Sequence, residues 1–486
     1  MTQDKLMQSP VAVQAERPLC VDLDGTLVKS DTFVDSLMVL ARRDPAALLH
    51  IPAWILRGKA HFKSQVASRV NLDAAHLPYN VPLLNFLRDE HAAGRKLFLA
   101  TGADRVMADK IANHLGIFDE VLASDGTVNL TGNNKLQCLE QRCASDCGFD
   151  YIGNGLADLP LLQGARQAMV ANPDLRLKSA LKRRNIAFSR NFTDRAHPLR
   201  ALGKALRVHQ WAKNLLIFLP MFLAHALNVA SVAKACAAFF CFCCVASATY
   251  IFNDLLDLET DRIHLHKRER AFAAGDLSVS AGLGISVSLL AVAVITTAYL
   301  PKTFFLYILL YFVTTLAYSL SLKRIVLVDV VLLSSLYTVR LLAGSAATGD
   351  PISPWLAAFS IFLFLSLAMV KRFSELQNLH ARGVNPSNGR GYLLSDIEQL
   401  RSFGTASAYA SIVIFALYIN GRDVMALYRH PDRMWLITPL LILWISRVWL
   451  LASRGLLDED PVVFALSDRM SLLLGLGMAA IAFSAL

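Results

Sequence analysis

Residues Asn253 to Gly275 read NDLLDLETDRIHLHKRERAFAAG and lie between two membrane-length apolar runs. Asn253, Asp254, Asp257 and Asp261 recur at spacings of three and four, so a helical continuation of the preceding run puts the carboxylates on one face. Such a face can hold Mg²⁺. His264, Lys267, Arg268 and Arg270 follow directly. Charged groups at the mouth of a transmembrane bundle are costly to desolvate and mark a substrate or ion site. Acids for a metal followed by bases for phosphate point to a diphosphate substrate.

Outward from this stretch the chain is uneven. Of its 486 residues 55% are hydrophobic, too many for an ordinary soluble protein. Polar alternation dominates up to about residue 200, and apolar runs dominate beyond about 211. The net charge of +10 gathers in a connector and beside the apolar runs, where anionic lipid attracts it, so a membrane surface is favoured over nucleic acid. Eight cysteines form no metal pattern: Cys138, Cys143 and Cys147 lack a fourth ligand nearby, and Cys241, Cys243 and Cys244 lie inside an apolar run. Free thiols fit a reducing compartment. The first 20 residues hold no long apolar core, so the N-terminal part is expected to stay in the cytoplasm.

Pro18 to Leu27 reads as a short apolar strand entering a turn, with Asp22 and Asp24 two residues apart. Alternation sends both carboxylates toward one site, where Asp22 suits a nucleophile toward phosphorus and Asp24 a general acid. A strand from Lys96 to Ala100 ends on Thr101 and Gly102, where a hydroxyl can hold a phosphate oxygen. Gly132 to Lys135 brings a lysine after a turn, and Tyr151 to Asp158 is a third strand-to-loop acid site. A lysine facing the nucleophile offsets its charge as a phosphate dianion approaches.

In this order the four stretches resemble the haloacid dehalogenase superfamily over roughly residues 18 to 175, after a tail of residues 1 to 17. The resemblance implies a doubly wound parallel α/β sheet and Mg²⁺ held by Asp22, the Asp24 carbonyl, and Asn154 and Asp158 of the last motif. Asn154 stands where that superfamily commonly has aspartate, and it offers a neutral oxygen instead. Helical patterns from about 30 to 80 form a small cap. Residues 176 to 207 read as a basic connector attracted to anionic lipid.

From residue 208 to 486 the pattern predicts an all-α membrane domain of nine transmembrane helices, at about 212–228, 230–252, 281–299, 303–320, 326–348, 355–370, 403–420, 434–452 and 467–485. Loops after the even spans carry most of the lysines and arginines, which orients them to the cytoplasm of a cell inner membrane. The polar motifs fall on that same side: His209 to Asn214, the acid stretch, Tyr318 to Lys323, Asp329 with Arg340, Lys371 to Glu375, and Asp460 with Asp468 and Arg469.

This arrangement resembles the UbiA superfamily of intramembrane prenyltransferases, whose N-D-x-x-D-x-x-x-D motif is matched by Asn253, Asp254, Asp257 and Asp261. The HQWAKN opening, the DRxHxxKRxR run, the YSxxLK, VRLLAG and KRxxEL segments and the late DPVVFALSDR are most similar to the decaprenyl-phosphate phosphoribosyltransferase type. That resemblance implies transfer from phosphoribosyl diphosphate to a polyprenyl phosphate, with Mg²⁺ on Asp254, Asp257 and Asp261. Lys213, Asn214, Asn253, Lys267, Arg268, Lys323, Arg340, Lys371 and Arg372 would bind substrate. The second aspartate-rich motif of the aromatic prenyltransferases is reduced to Asp329, with basic residues in place of a second metal site. Ala271 and Leu265-His266 depart from the common Pro and Pro-Arg of the subgroup. Two alternatives compete: a prenyltransferase using polyprenyl diphosphate, which the lone Asp329 disfavours, and a transporter or scaffold, which charges on both faces would suit better.

Overall fold

The computed structural model describes residues 17–125, 128–144, 148–381, 383, 390–457 and 461–486. The tail up to residue 16, Cys147 and Asp460 lie outside them. The chain forms two compact units, Met1–Leu206 with Tyr250–Ile285, and Arg207–Thr249 with Ser286–Leu486. The acid stretch therefore belongs to the first unit, not to the apolar half that surrounds it in sequence.

The first unit is built on six parallel strands, β1 (Leu19–Val21), β2 (Leu97–Asp104), β3 (Glu120–Ser124), β4 (Asp150–Gly153), β5 (Ala168–Ala171) and β6 (Asn191–Phe192), in the order β3-β2-β1-β4-β5-β6. Buried on both faces, its strands are near-continuously apolar. Leu19, Val21, Leu97, Leu99 and Ile152 feed one core layer, while Cys20, Phe98, Ala100 and Tyr151 feed the other. The order reverses at β1, so the carboxyl ends of β1 and β4 flank a crevice where such sheets bind ligands. Strand β6 lies inside the stretch read from sequence as a basic connector. Two residues between arginines carry no period, and only pairing with β5 reveals them. The expected cap includes helices α1 (Thr32–Arg43) and α2 (Lys59–Ala67). Asp31 caps α1, accepting from the backbone N–H groups of Phe33 and Val34.

The second unit is helical. Among the described residues seven helices are long and apolar enough to cross a membrane: Val229–Leu256, Val279–Thr297, Lys302–Leu320, Val328–Thr348, Pro354–Ala381, Leu394–Ile419 and Pro431–Ser453. They correspond to seven of the nine expected spans. The expected last span is the shorter helix Arg469–Ala485. The expected first span is instead an irregular 3₁₀ segment, Val208–Phe218, followed by the short helix Leu219–Leu223. Pro220 lacks an N–H and suits the start of a new helix, not the middle of a span. Lys213 and Asn214 are buried in that segment. Large apolar side chains such as Val294, Leu306 and Val313 are exposed on the spans, as helices facing hydrocarbon require.

Gly344, in Val328–Thr348, packs on the 3₁₀ segment so closely that a Cβ there would meet the Ile217 carbonyl oxygen at 2.2 Å. A backbone carbonyl cannot swing aside as a side chain can. Gly344→Ala is expected to cost at least the about 1–3 kcal/mol typical of overpacking, read as a lower thermal midpoint in detergent; an unchanged midpoint would refute this packing.

Candidate active sites

The crevice beyond β1 and β4 gathers the four sequence motifs of the first unit. Lys135 Nζ lies 2.7 Å from Asp22 Oδ1 and 3.5 Å from Asp158 Oδ1, all three side chains being buried. Tyr151, an apolar-run residue that sequence reasoning did not select, accepts from Lys135 at 3.1 Å and donates to Asp158 at 2.8 Å. The backbone N–H groups of Asn154 and Gly155 donate to Asp158 Oδ2, so that carboxylate is held from two sides. Thr26 donates to Asp22 Oδ2 at 3.2 Å and to Asn154 Oδ1 at 3.3 Å, tying the two motifs. Gly25, at φ +77°, passes so near Asn154 that a Cβ would fall 2.1 Å from its amide nitrogen. Thr101 is fully buried, its hydroxyl accepting from the Ala103 N–H. From α2, Lys63 donates to the Gly102 carbonyl at 2.7 Å and adds a cation that sequence reasoning missed.

Burial pushes the Asp22 carboxyl up to about 6 against the opposing pull of Lys135. Burial, and then the charge of Asp31, pushes Asp24 up to about 7. Its carboxylate accepts from both the N–H and the hydroxyl of Thr32 at 2.8 Å. One carboxyl poised for ionisation beside a lysine and one that keeps its proton near neutrality are the pair that a nucleophile and a general acid need. The donors are hard oxygens of the kind Mg²⁺ takes.

The acid stretch also belongs to the first unit. The helix Val229–Leu256 stops at Leu256, Asp257 bends the chain, and the helix Leu258–Ile263 follows. The N–H of Asp257 still donates to the Asn253 carbonyl and that of Asp261 to the Asp257 carbonyl, preserving the helical spacing. Their carboxylates are divided between two guanidiniums. Arg270 bridges Asp254 at 3.0 Å and Asp261 at 2.6 Å. Asp257 turns to Asn253, which donates at 3.1 Å, and to Arg42 at 3.0 Å. Among the described residues no group of three or more His, Cys, Asp or Glu side chains is gathered to hold a metal. Even so, the guanidinium of Arg270 is a stand-in cation that marks where Asp254 and Asp261 converge. The donor chemistry there suits Mg²⁺. Lys267 and Arg268 are exposed.

In the second unit the expected substrate-binding residues have partners of their own. Arg340 donates to Asn214 Oδ1 at 2.8 Å, to the Leu336 carbonyl at 2.7 Å and to the Tyr311 hydroxyl at 2.9 Å, with Tyr311 and Tyr337 rings against its plane. Lys213 lies over the Tyr337 ring. Arg372 pairs with Asp329 at 2.5 Å and with Glu375 at 2.7 Å, and donates to Tyr318. Tyr392 donates to the other Asp329 oxygen. The lone acid of the second position is thus balanced by a buried guanidinium. Lys323 and Lys371 complete the expected set, at the end of one span and within another.

Comparison with known proteins finds two family regions, the second of which includes the acid stretch. Residues 214–467 match the UbiA prenyltransferase family, and residues 19–163 match the haloacid dehalogenase-like hydrolases. The chain is 39% identical over 461 residues to the uncharacterized protein y4nM of Sinorhizobium fredii, covering 94% of this chain and 89% of that one. It is 32% identical over 285 residues to the nodulation protein NoeC of Azorhizobium caulinodans, covering 58% and 92%. It is 30% identical over 279 residues to a decaprenyl-phosphate phosphoribosyltransferase of Mycolicibacterium smegmatis, covering 55% and 87%.

A carboxyl raised from 3.8 to about 7 binds more protons in the folded state between those values. Its stabilising contribution is full below the lower value and is lost as pH rises through the higher one. Between pH 5 and 8 in chelator, Asp24→Asn is expected to flatten the fall of the thermal midpoint; an unaltered slope would show that Asp24 does not titrate there.

Proposed function

The chain belongs to the UbiA prenyltransferase family, and from that premise we propose that it transfers a 5-phosphoribosyl group from phosphoribosyl diphosphate to a polyprenyl phosphate. It is a multi-pass membrane protein, placed by this reading in the inner membrane with its reacting groups on the cytoplasmic side. The observation that carries the substrate choice is the buried Asp329–Arg372 pair. The cation on the second acidic position is sealed, Arg372 being 2% exposed, whereas Arg270 and Arg42 on the acid stretch keep 27% and 29% of their side-chain surface open; among the described residues that leaves Asp254, Asp257 and Asp261 as the accessible acids for a single diphosphate. Relatives that bear the name decaprenyl-phosphate phosphoribosyltransferase support the same substrates.

In this reading an oxygen of the lipid phosphate attacks the anomeric carbon of the ribosyl donor; that C–O bond forms as the bond to diphosphate breaks. The acceptor is already an anion, so no strong base is required. Asp254, Asp257 and Asp261 would hold Mg²⁺, which when bound offsets the charge of the departing diphosphate. Asn253 orients Asp257. Lys213, Lys267, Arg268, Lys323 and Lys371 are assigned to phosphate oxygens as charge-assisted partners. Asn214, Arg340 and Arg372, which are spent on internal partners, position their neighbours.

The haloacid dehalogenase-like domain is assigned the next step, removal of the 5-phosphate from the product. Asp22 is its nucleophile and Asp24 its acid, with Lys135 and Thr101 on the phosphate. Asp22, the Asp24 carbonyl, Asn154 and Asp158 would hold its Mg²⁺. Tethering two consecutive centres raises the effective concentration of the shared intermediate.

Purified protein given labelled phosphoribosyl diphosphate and a polyprenyl phosphate is expected to form lipid-linked label that chelator or Asp254→Asn lowers at least about 100-fold, on the order of 3 kcal/mol of transition-state stabilisation. Asp22→Asn should preserve transfer and stop phosphate release. Label entering lipid only from a polyprenyl diphosphate donor would overturn the transferase reading, and phosphate release indifferent to Asp22→Asn would overturn the second step.

A further inference from the structure

Helix α1 of the first unit runs from one candidate centre to the other. At its first turn Thr32 donates twice to Asp24. At its last turn Arg42 reaches the acid stretch, donating to the Leu256 carbonyl and the Thr260 hydroxyl at 3.2 Å each and pairing with Asp257 at 3.0 Å. Ten rises of 1.5 Å separate Thr32 from Arg42 by roughly 15 Å along the helix.

This docking does not depend on Arg42. Arg262, from the acid stretch, is buried against Asp35 of α1 at 2.8 Å and against Ser30 at 3.1 Å. Arg43 grips both oxygens of Glu259 at 2.8 and 2.9 Å. Val39, Leu72 and Leu77 meet Leu258 and Ile263 around a small apolar gap. With the helix held by those contacts, the Arg42 guanidinium is fixed beside Asp257 yet keeps 29% of its side-chain surface open. A guanidinium with free N–H groups in a fixed fork can exchange one oxyanion for another, or hold two, without moving its stem.

We propose that Arg42 is a diphosphate-binding residue of the transferase site, supplied by the haloacid dehalogenase-like domain. It balances Asp257 in the metal-free protein and turns to a diphosphate oxygen once Mg²⁺ takes the carboxylates. The transferase site is then composite, and a chain cut between its two family regions loses part of it. This rests on the assignment of Asp254, Asp257 and Asp261 as the diphosphate site.

The test is titration of the full-length protein in detergent, first with Mg²⁺ alone and then with inorganic diphosphate at saturating Mg²⁺. Differences between variant and parent cancel the contribution of the other Mg²⁺ site. R42A is expected to bind Mg²⁺ about threefold more tightly, because a competing cation is gone, and inorganic diphosphate at least about tenfold more weakly, because a charge-assisted hydrogen bond is lost. R42K should fall between R42A and the parent, and R43A should shift neither constant more than about twofold. Both R42A constants unchanged, or both weakened, would overturn the proposal. D254N tests the assignment beneath it: if diphosphate binding survives D254N, that assignment falls, whatever R42A does. Should R42A not fold, phenylglyoxal labelling of the parent decides. Arg42 should label faster with Mg²⁺ alone and be protected by Mg²⁺ with inorganic diphosphate; equal labelling in all states would overturn the proposal.

Discussion

The buried pair between Arg262 and Asp35 is the contact on which the first unit depends. Their side chains are 5% and 0% exposed, and Ser30 accepts from the same guanidinium. Removing one partner of such a pair typically costs about 3–5 kcal/mol, because the other charge is left buried and unpaired. The two residues lie in segments more than two hundred positions apart, one in the cap region and one in the acid stretch. Satisfying that single charge commits a loop between two apolar spans to the packing of a soluble-type α/β body. The clamp also includes the close approach of Gly275, at φ +73°, to Lys29, where a Cβ would meet the lysine Cβ at 2.7 Å. Asp276 adds to it by accepting from the Ala196 N–H.

Much of this was legible in the sequence, and the legible parts share a cause. Asp22, Thr101 and Asp158 lie in or beside strands whose apolar runs announce them, whereas Lys135 lies in the helix Asn133–Arg142 and was joined to them by the order of motifs that the haloacid dehalogenase resemblance implies. Seven spans were legible because a membrane demands length and hydrophobicity in each one separately. Where the reading failed, the determining contact was distant or the period too short. The two residues of β6 have meaning only beside β5. Tyr151 looked like one more apolar strand residue until its hydroxyl was seen between Lys135 and Asp158. Arg42 lies in an ordinary amphipathic helix, and nothing near it in the chain refers to Asp257. The helical spacing of Asp257 and Asp261 persists through the turn, but the division of the carboxylates between Arg270 and Arg42 could not be read from that spacing.

The two candidate centres solve the same electrostatic problem differently. Around Asp22 the carboxylates are buried close together and share one lysine, and for Asp22 burial outweighs the lysine, so its carboxyl titrates late. Along the acid stretch each carboxylate has a guanidinium against it. Burial also raises Asp261, with Arg270 pulling the other way. The first arrangement tunes protons; the second keeps negative charge available for a cation to collect.

The Asp329–Arg372 pair has a further consequence. A bound metal ion exchanges with its surroundings, and its occupancy follows the free concentration of that ion. A guanidinium carried on the chain has no off-rate. The charge at Asp329 is therefore balanced in every molecule from the moment of folding, in cells rich or poor in magnesium alike.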